Sequence, residues 1–179
     1  QAEEFINNET FAVLLGDNYA HPIHRMIGQL IAVYDIVGTS VIGADRVPAV
    51  DIYRYGIING AERVFNTIFR VTELLEKPRL HDVKNNLAIM GRYIFTPKIF
   101  DMIKNTAPGH KNEIQLTDAI VKLMDVEPVH ALHMTGNIYD IGTPMGMTQA
   151  NIDLAMYTNR NEIVKFMKEI LMGWTEEKQ

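Results

Sequence analysis

Apolar residues fall into short blocks whose spacing changes several times along the chain, and those changes define the elements. Phe11-Ala12-Val13-Leu14-Leu15 is a continuous apolar run closed by Gly16-Asp17-Asn18, which predicts a strand buried on both faces and ended by a turn. Ile23, Met26, Ile27, Leu30, Ile31, Tyr34 and Val37 then recur at helical spacing. Pro22 suits the first helical position and Gly38 follows the last apolar residue. Ser40 to Ala44 returns to a strand pattern, completing a strand-helix-strand unit of the kind that builds parallel sheets through right-handed crossovers.

The middle of the chain has a different rhythm. Gly56 to Gly60, Ile68 to Leu75 and Leu87 to Phe95 are strand-like runs with no long helix between them, which predicts an antiparallel or mixed excursion. From Pro97 the period becomes helical, with Ile99, Met102 and Ile103 on one face and later Ile120, Leu123 and Met124 on another, giving two helices to pack on the sheet. Val129 to Met134 and Ile138 to Ile141 are further strand candidates. Met145 to Tyr157 and Ile163 to Trp174 have the spacing of amphipathic helices. The expected architecture is α/β, a mixed sheet flanked by helices. No repeat, low-complexity tract or linker interrupts the sequence, so residues 1–179 are expected to form a single domain.

Composition narrows the chemistry. Hydrophobic residues make up 47% and charged residues 22%, the balance of a chain with a packed core. The net charge of -5 provides no broad positive field for nucleic acid or an anionic membrane, so any phosphate must be held locally. The absence of cysteine excludes disulfides, a thiolate nucleophile and Cys-ligated zinc, and makes the cytoplasm the expected compartment. No apolar stretch approaches the ~20 residues that span a bilayer. The start, Gln1-Ala2-Glu3-Glu4-Phe5, is acidic, unlike a signal peptide, and lacks an initiator methionine, so the chain is expected to be processed or cut from something longer.

Neither GxGxxG nor GxxxxGK[ST] occurs, so there is no dinucleotide fingerprint and no P-loop. His21 and His24 flank Pro22, while His130 and His133 lie in a strand pattern that turns them to opposite faces, so neither pair predicts a metal site. Asn8-Glu9-Thr10 matches the glycosylation sequon without a secretory context. More informative are polar groups placed just after apolar strand runs: Asp17, the Glu76-Lys77-Pro78 triplet, and Asp140 beside Ile141-Gly142. In open α/β sheets ligands sit beyond the carboxyl ends of strands. Two carboxylates there could hold Mg2+ together with substrate phosphates. Lys77 would act as a point charge for phosphate and Glu76 as an acceptor for hydroxyls. Each feature has a plain structural alternative: a turn-forming Asp, a solvated Glu-Lys pair, a Gly that merely closes a turn.

These residues resemble a known family, the bacterial UTP-glucose-1-phosphate uridylyltransferases within the sugar-1-phosphate nucleotidyltransferases. The matching segments are Phe11-Ala-Val-Leu-Leu-Gly-Asp17, Thr39-Ser-Val-Ile-Gly43, Tyr55-Gly56-Ile57, Leu75-Glu-Lys-Pro78, Asn86-Leu-Ala-Ile-Met-Gly-Arg-Tyr93, Glu113-Ile-Gln-Leu-Thr-Asp-Ala-Ile120 and Tyr139-Asp-Ile-Gly142. They follow the family's order over most of Phe11 to Tyr157. The family's Gly-x-Gly-Thr-Arg loop and downstream lysine, which hold the nucleotide triphosphate, have no counterpart here. The resemblance therefore implies the C-terminal portion of a Rossmann-like nucleotidyltransferase domain, carrying the sugar-phosphate and metal side of the site.

Carried over residue by residue, the resemblance makes Asp17 the principal Mg2+ ligand and Asp140 a second carboxylate at metal and phosphate. Glu76 would bind sugar hydroxyls, Lys77 the sugar phosphate, and Gly56 would allow close approach of the sugar. Ile89 and Gly91 would offer backbone contacts, and Asp17, Glu76, Lys77 and Asp140 are expected to converge on one cleft. Gln115 to Ile120 is expected to be scaffold. The implied reaction is transfer of uridylyl from UTP to glucose 1-phosphate, giving UDP-glucose and pyrophosphate, with the isolated chain inactive for want of the nucleotide loop. Asn18 stands where an acidic residue often follows the strand-ending Asp, and Thr143-Pro144 replaces an acidic-Lys pair, which removes a positive charge near the phosphates. The alternatives are a thymidylyl- or adenylyltransferase and a non-catalytic sugar-phosphate-binding paralogue. A sheet edge left unpaired would favour a homo-oligomer.

Overall fold

The computed structural model describes residues 2–109 and 112–176. In chain order the elements are α1 (Ala2–Ile6), β1 (Phe11–Leu14), β2 (Asn18–Ala20), α2 (Met26–Val37), β3 (Val41–Arg46), β4 (Gly56–Phe65), β5 (Ile68–Glu76), β6 (Leu87–Phe95), α3 (Lys98–Lys104), α4 (Leu116–Leu123), β7 (His130–His133), β8 (Ile138–Asp140), α5 (Pro144–Thr158) and α6 (Arg160–Glu176). They form two compact units, one made of Gln1–Leu15 with Arg25–Thr135, the other of Gly16–His24 with Gly136–Gln179.

The first unit is built on a six-stranded mixed sheet in the order β1-β6-β3-β7-β5-β4. Next to the edge strand β1 runs β6, Leu-Ala-Ile-Met-Gly-Arg-Tyr-Ile-Phe, buried along its whole length as a strand covered on both faces must be. Both β1 and β3 pair with β6 antiparallel, and β3 pairs with β7 parallel. The predicted strand-helix-strand unit is thus present, with β1 and β3 running the same way, but β6 is inserted between them. The long β4-β5 hairpin supplies the predicted antiparallel excursion. A bridge from Ile57 to Ala88 also draws the start of β4 against the start of β6.

The expectation that β1 is buried on both faces is corrected. β1 pairs only with β6 and forms the sheet edge, so alternate side chains face out, and Leu14 is 53% exposed. A run of apolar residues reports hydrophobicity on both faces, not what covers them. Helix α2 begins at Met26 rather than Pro22, because residues Pro22–His24 form a 3-10 turn and Arg25 adopts a left-handed backbone. Gly38 closes α2 as predicted, with φ of 67° and its N–H on the Tyr34 carbonyl.

Helices α3 and α4 cover the sheet, burying Ile99, Ala119, Ile120 and Leu123 against Ile42, Phe95, Val71 and Val129. A carboxylate is also buried there. Glu127 accepts hydrogen bonds from the Ser40 hydroxyl (2.6 Å), the Ser40 N–H (3.1 Å) and the Thr96 hydroxyl, and pairs with Lys98 at 3.3 Å. Full pairing is what makes a buried charge tolerable.

The second unit pairs β2 with β8 as a two-stranded antiparallel ribbon, followed by α5 and α6. Thr143 caps α5 by accepting the Gly146 N–H, with Pro144 in the first turn. The three-residue strand β2 is too short to register as a hydrophobic period, which is why the sequence pattern shows only a turn there.

Candidate active site

In the first unit, the carboxyl end of β5 lies beside the amino end of β4, with Glu76 directly opposite Gly56. Thr117, buried in the first turn of α4, donates its hydroxyl to Glu76 Oε2 at 2.7 Å. Lys77 Nζ stands 3.5 Å from Glu76 Oε1. The Glu76 side chain is 18% exposed and that of Lys77 48%, so the carboxylate is recessed while the ammonium reaches solvent. A Cβ placed on Gly56 would come within 2.9 Å of Thr117 Oγ1, 3.2 Å of Ile89 Cδ1 and 3.3 Å of Glu76 Oε2. Only glycine fits that corner without displacing its neighbours.

Lys77 itself has a φ of 45°, a left-handed backbone that a lysine adopts at some cost, and its N–H is fixed on the Tyr55 carbonyl at 3.0 Å. Gly91 sits nearby in sequence at a different structural feature. Between the pairs Ile42–Tyr93 and Ala44–Ile89 the register of β3 on β6 shifts, and Gly91 occupies this bulge with φ of 55°. Its carbonyl is taken by the Leu15 N–H at 2.9 Å and Arg92 Nη1 at 3.1 Å.

The second unit holds the two aspartates. Asn18 lies opposite Asp140 in the ribbon, and the Ile141 N–H donates to the Asp17 carbonyl at 2.8 Å. Asn18 donates its amide to Asp17 Oδ1 at 2.8 Å, and the Gly142 N–H donates to Asp140 Oδ1 at 3.1 Å. A Cβ on Gly142 would lie 3.1 Å from Asp140 Oδ1 and 3.8 Å from Asp17 Cβ, so this glycine leaves space beside both residues. Behind them Tyr19 and Tyr139 stack at 6.4 Å, and burial together with the negative charge of Asp153 pushes both phenols up from their ordinary range. Among the described residues no group of three or more His, Cys, Asp or Glu side chains is placed to hold a metal.

The structure thus brings Gly56, Glu76, Lys77 and Ile89 together in one unit and Asp17 with Asp140 in the other. Of the histidines, His130 pairs with Thr39 at 3.0 Å and His133 with Asp45 at 3.2 Å, while the His21 and His24 rings lie 5.9 Å apart. One residue was missed by sequence reasoning. Thr117 belongs to a segment expected to be scaffold, yet its hydroxyl is on Glu76; a polar residue on the buried face of an otherwise apolar helix was the available signal.

A mixed sheet covered by helices, with polar groups gathered at strand ends, defines a class, and the comparisons specify it. The chain belongs to the nucleotidyl transferase family, whose model matches residues 1–156. It is 43% identical over 171 residues to the UTP–glucose-1-phosphate uridylyltransferase of Staphylococcus haemolyticus, a match covering 94% of this chain and 59% of that protein. A crystal structure of UDP-glucose pyrophosphorylase complexed with UDP-glucose superposes with a TM-score of 0.80 at 33% identity, over 88% of this chain and 59% of the other. The UTP-bound enzyme from Acinetobacter baumannii gives a TM-score of 0.76 at 29% identity, over 95% and 59%. The fold is therefore the Rossmann-like nucleotidyltransferase fold, and the chain spans under two thirds of the relatives it matches.

Proposed function

We propose that this chain is the sugar-phosphate and metal-binding portion of a UTP-glucose-1-phosphate uridylyltransferase domain. The observation that carries the reading is the Gly56-Glu76-Lys77 corner: a recessed carboxylate, a projecting ammonium and a glycine cleared of a side chain, on a chain 43% identical to a uridylyltransferase. Glu76 accepts hydrogen bonds from sugar hydroxyls, and Lys77 offsets the charge of the sugar phosphate. Gly56 lets the sugar approach the backbone, with Ile89 beside it; the Gly91 carbonyl, taken by Leu15 and Arg92, leaves only its N–H for a backbone contact.

Asp17 and Asp140 suit Mg2+, which needs only one or two carboxylates when phosphates and water complete its oxygen shell, and the space left by Gly142 lies beside both. When bound, the ion would screen phosphate repulsion and stabilise the leaving pyrophosphate. The sugar-phosphate oxygen is already anionic and can attack the α-phosphorus of UTP without a general base, so the protein's task is alignment and charge balance. The absence of cysteine is no obstacle to such chemistry. The same reading includes a cytoplasmic setting and self-association.

The test is direct binding and turnover. The chain should bind glucose 1-phosphate, more weakly after Lys77→Ala, and should release no pyrophosphate from a mixture of UTP, glucose 1-phosphate and Mg2+. Vigorous pyrophosphate release would locate the nucleotide side within this chain. Glucose 1-phosphate affinity unchanged by Lys77→Ala would return the Glu76-Lys77 pair to ordinary surface.

A further inference from the structure

We propose that Thr117 is a positioning residue that sets the Glu76 carboxylate for sugar recognition, a proposal that rests on the reading of Glu76 as the acceptor of sugar hydroxyls. A glutamate side chain has three rotatable bonds, and leaving it free would cost binding entropy each time it was ordered by ligand. Here one oxygen is already held by a hydrogen bond and the other faces a cation. Thr117 Oγ1 lies 2.7 Å from Oε2, and Lys77 Nζ lies 3.5 Å from Oε1.

The direction of the first bond is fixed by chemistry. An ionised carboxylate only accepts, so the threonine hydroxyl must donate its proton to Glu76. Each carboxylate oxygen still has a second lone pair, and those remaining positions can accept only from donors. The corner therefore offers those positions to donors such as sugar hydroxyls. A ligand lacking the hydroxyl would leave a recessed carboxylate undersolvated, the arrangement that discriminates most strongly against deoxy analogues.

Two further observations make Thr117 more than a neighbour. It is 8% exposed and sits on α4, whose other buried residues, Ala119, Ile120 and Leu123, lock the helix into the core, so the hydroxyl is presented from a rigid element. The Gly56 position, where a Cβ would approach Thr117 Oγ1 to 2.9 Å, keeps the space in which hydroxyl and carboxylate meet. Valine is nearly isosteric with threonine and removes the donor alone.

Calorimetric titration of the chain with glucose 1-phosphate, and separately with inorganic phosphate, tests this in the unmodified protein, Thr117→Val, Thr117→Ser and Glu76→Gln. Thr117→Val should weaken glucose 1-phosphate binding about tenfold, the scale of one charge-assisted hydrogen bond, while leaving phosphate affinity and thermal midpoint near the unmodified values. Thr117→Ser should restore most of the loss. If Glu76→Gln weakens sugar-phosphate binding and Thr117→Val does not, the positioning role is overturned and the reading of Glu76 stands. If Thr117→Val lowers both affinities equally, the residue supports the local fold and the proposal also fails. If Glu76→Gln is without effect, or the unmodified chain binds no glucose 1-phosphate, the underlying reading of Glu76 is overturned.

Discussion

The Glu76 corner takes its hydrogen-bond partner from a residue 41 positions away in sequence, whereas the carboxylates of the Asp17-Asp140 ribbon take theirs from residues one or two positions away. At the corner, the buried Thr117 hydroxyl holds one oxygen of a recessed carboxylate, the Lys77 ammonium stands 3.5 Å from the other, and Gly56 is enclosed by Thr117, Ile89 and Glu76. In the ribbon, the carboxylates take their partners from adjacent chain: the Asn18 amide donates to Asp17 Oδ1 and the Gly142 N–H to Asp140 Oδ1, and Asp17 remains exposed. A group that recognises hydroxyl geometry binds better when it is held in place before the ligand arrives, because each frozen rotamer is one less to freeze on binding. Carboxylates awaiting a hard cation need room to adapt to an oxygen shell completed by other ligands. On the proposed function, the first region reads shape and the second supplies charge.

Glycine substitutions should expose that contrast most sharply. The largest effect is expected at Gly146, where a Cβ would fall 1.9 Å from the Asp140 carbonyl oxygen. No rotamer relieves a clash with backbone, so Gly146→Ala should destabilise the second unit by about 3 kcal/mol or more, as severe overpacking does. Hydrogen exchange at β8 and α5, compared with the exchange of β6, would show whether the loss stays in that unit.

Gly56→Ala comes next, at about 1–3 kcal/mol of stability. Its neighbours are side-chain atoms that can shift, so the fold should survive while glucose 1-phosphate binding falls at least as far as in Thr117→Val. Chemical denaturation paired with calorimetry measures both. Loss of the α5 cap in Thr143→Ala should cost about 1 kcal/mol, because the Gly146 N–H loses its side-chain acceptor. A shift in denaturation midpoint with sugar-phosphate affinity unchanged is the expected result.

The smallest effect concerns pH. Burial, and secondarily the Arg70 charge, holds the His130 imidazole below its ordinary 6.5, so the folded chain favours the neutral ring. The unfolded chain then binds more protons just below that value. Stability is full above pH 6.5 and is lost as pH falls toward the folded value. His130→Gln should flatten this part of the stability-pH curve, read by denaturant titration between neutrality and mild acid.

How much of this was legible in the sequence depended on what each signal measures. Periodicity located β4, β5, β6 and the covering helices because their burial is set by their own residues, as in the unbroken apolar run of Leu87 to Phe95. It failed at β1, since Phe11 to Leu14 is as apolar as a covered strand but lies on an edge, and exposure depends on what packs against it. Likewise β2 has only three residues and exists through its pairing with β8, a partner more than a hundred positions away. Glu76 and Lys77 could be singled out by their place after a strand. Thr117 could not, because its role is a contact 41 positions distant in sequence. Ordered motifs identify the segment containing it, while the packing of α4 beside the end of β5 gives the hydroxyl its partner.

The measurement that bears most directly on the central claim is a residue-resolved NMR titration of the chain, first with glucose 1-phosphate and then with Mg2+. Glucose 1-phosphate is expected to perturb the amides of Gly56, Lys77, Ile89 and Thr117, and Mg2+ those of Asp17, Asp140 and Gly142. Saturable perturbations centred elsewhere, with these residues unmoved by either ligand, would contradict the assignment of both regions.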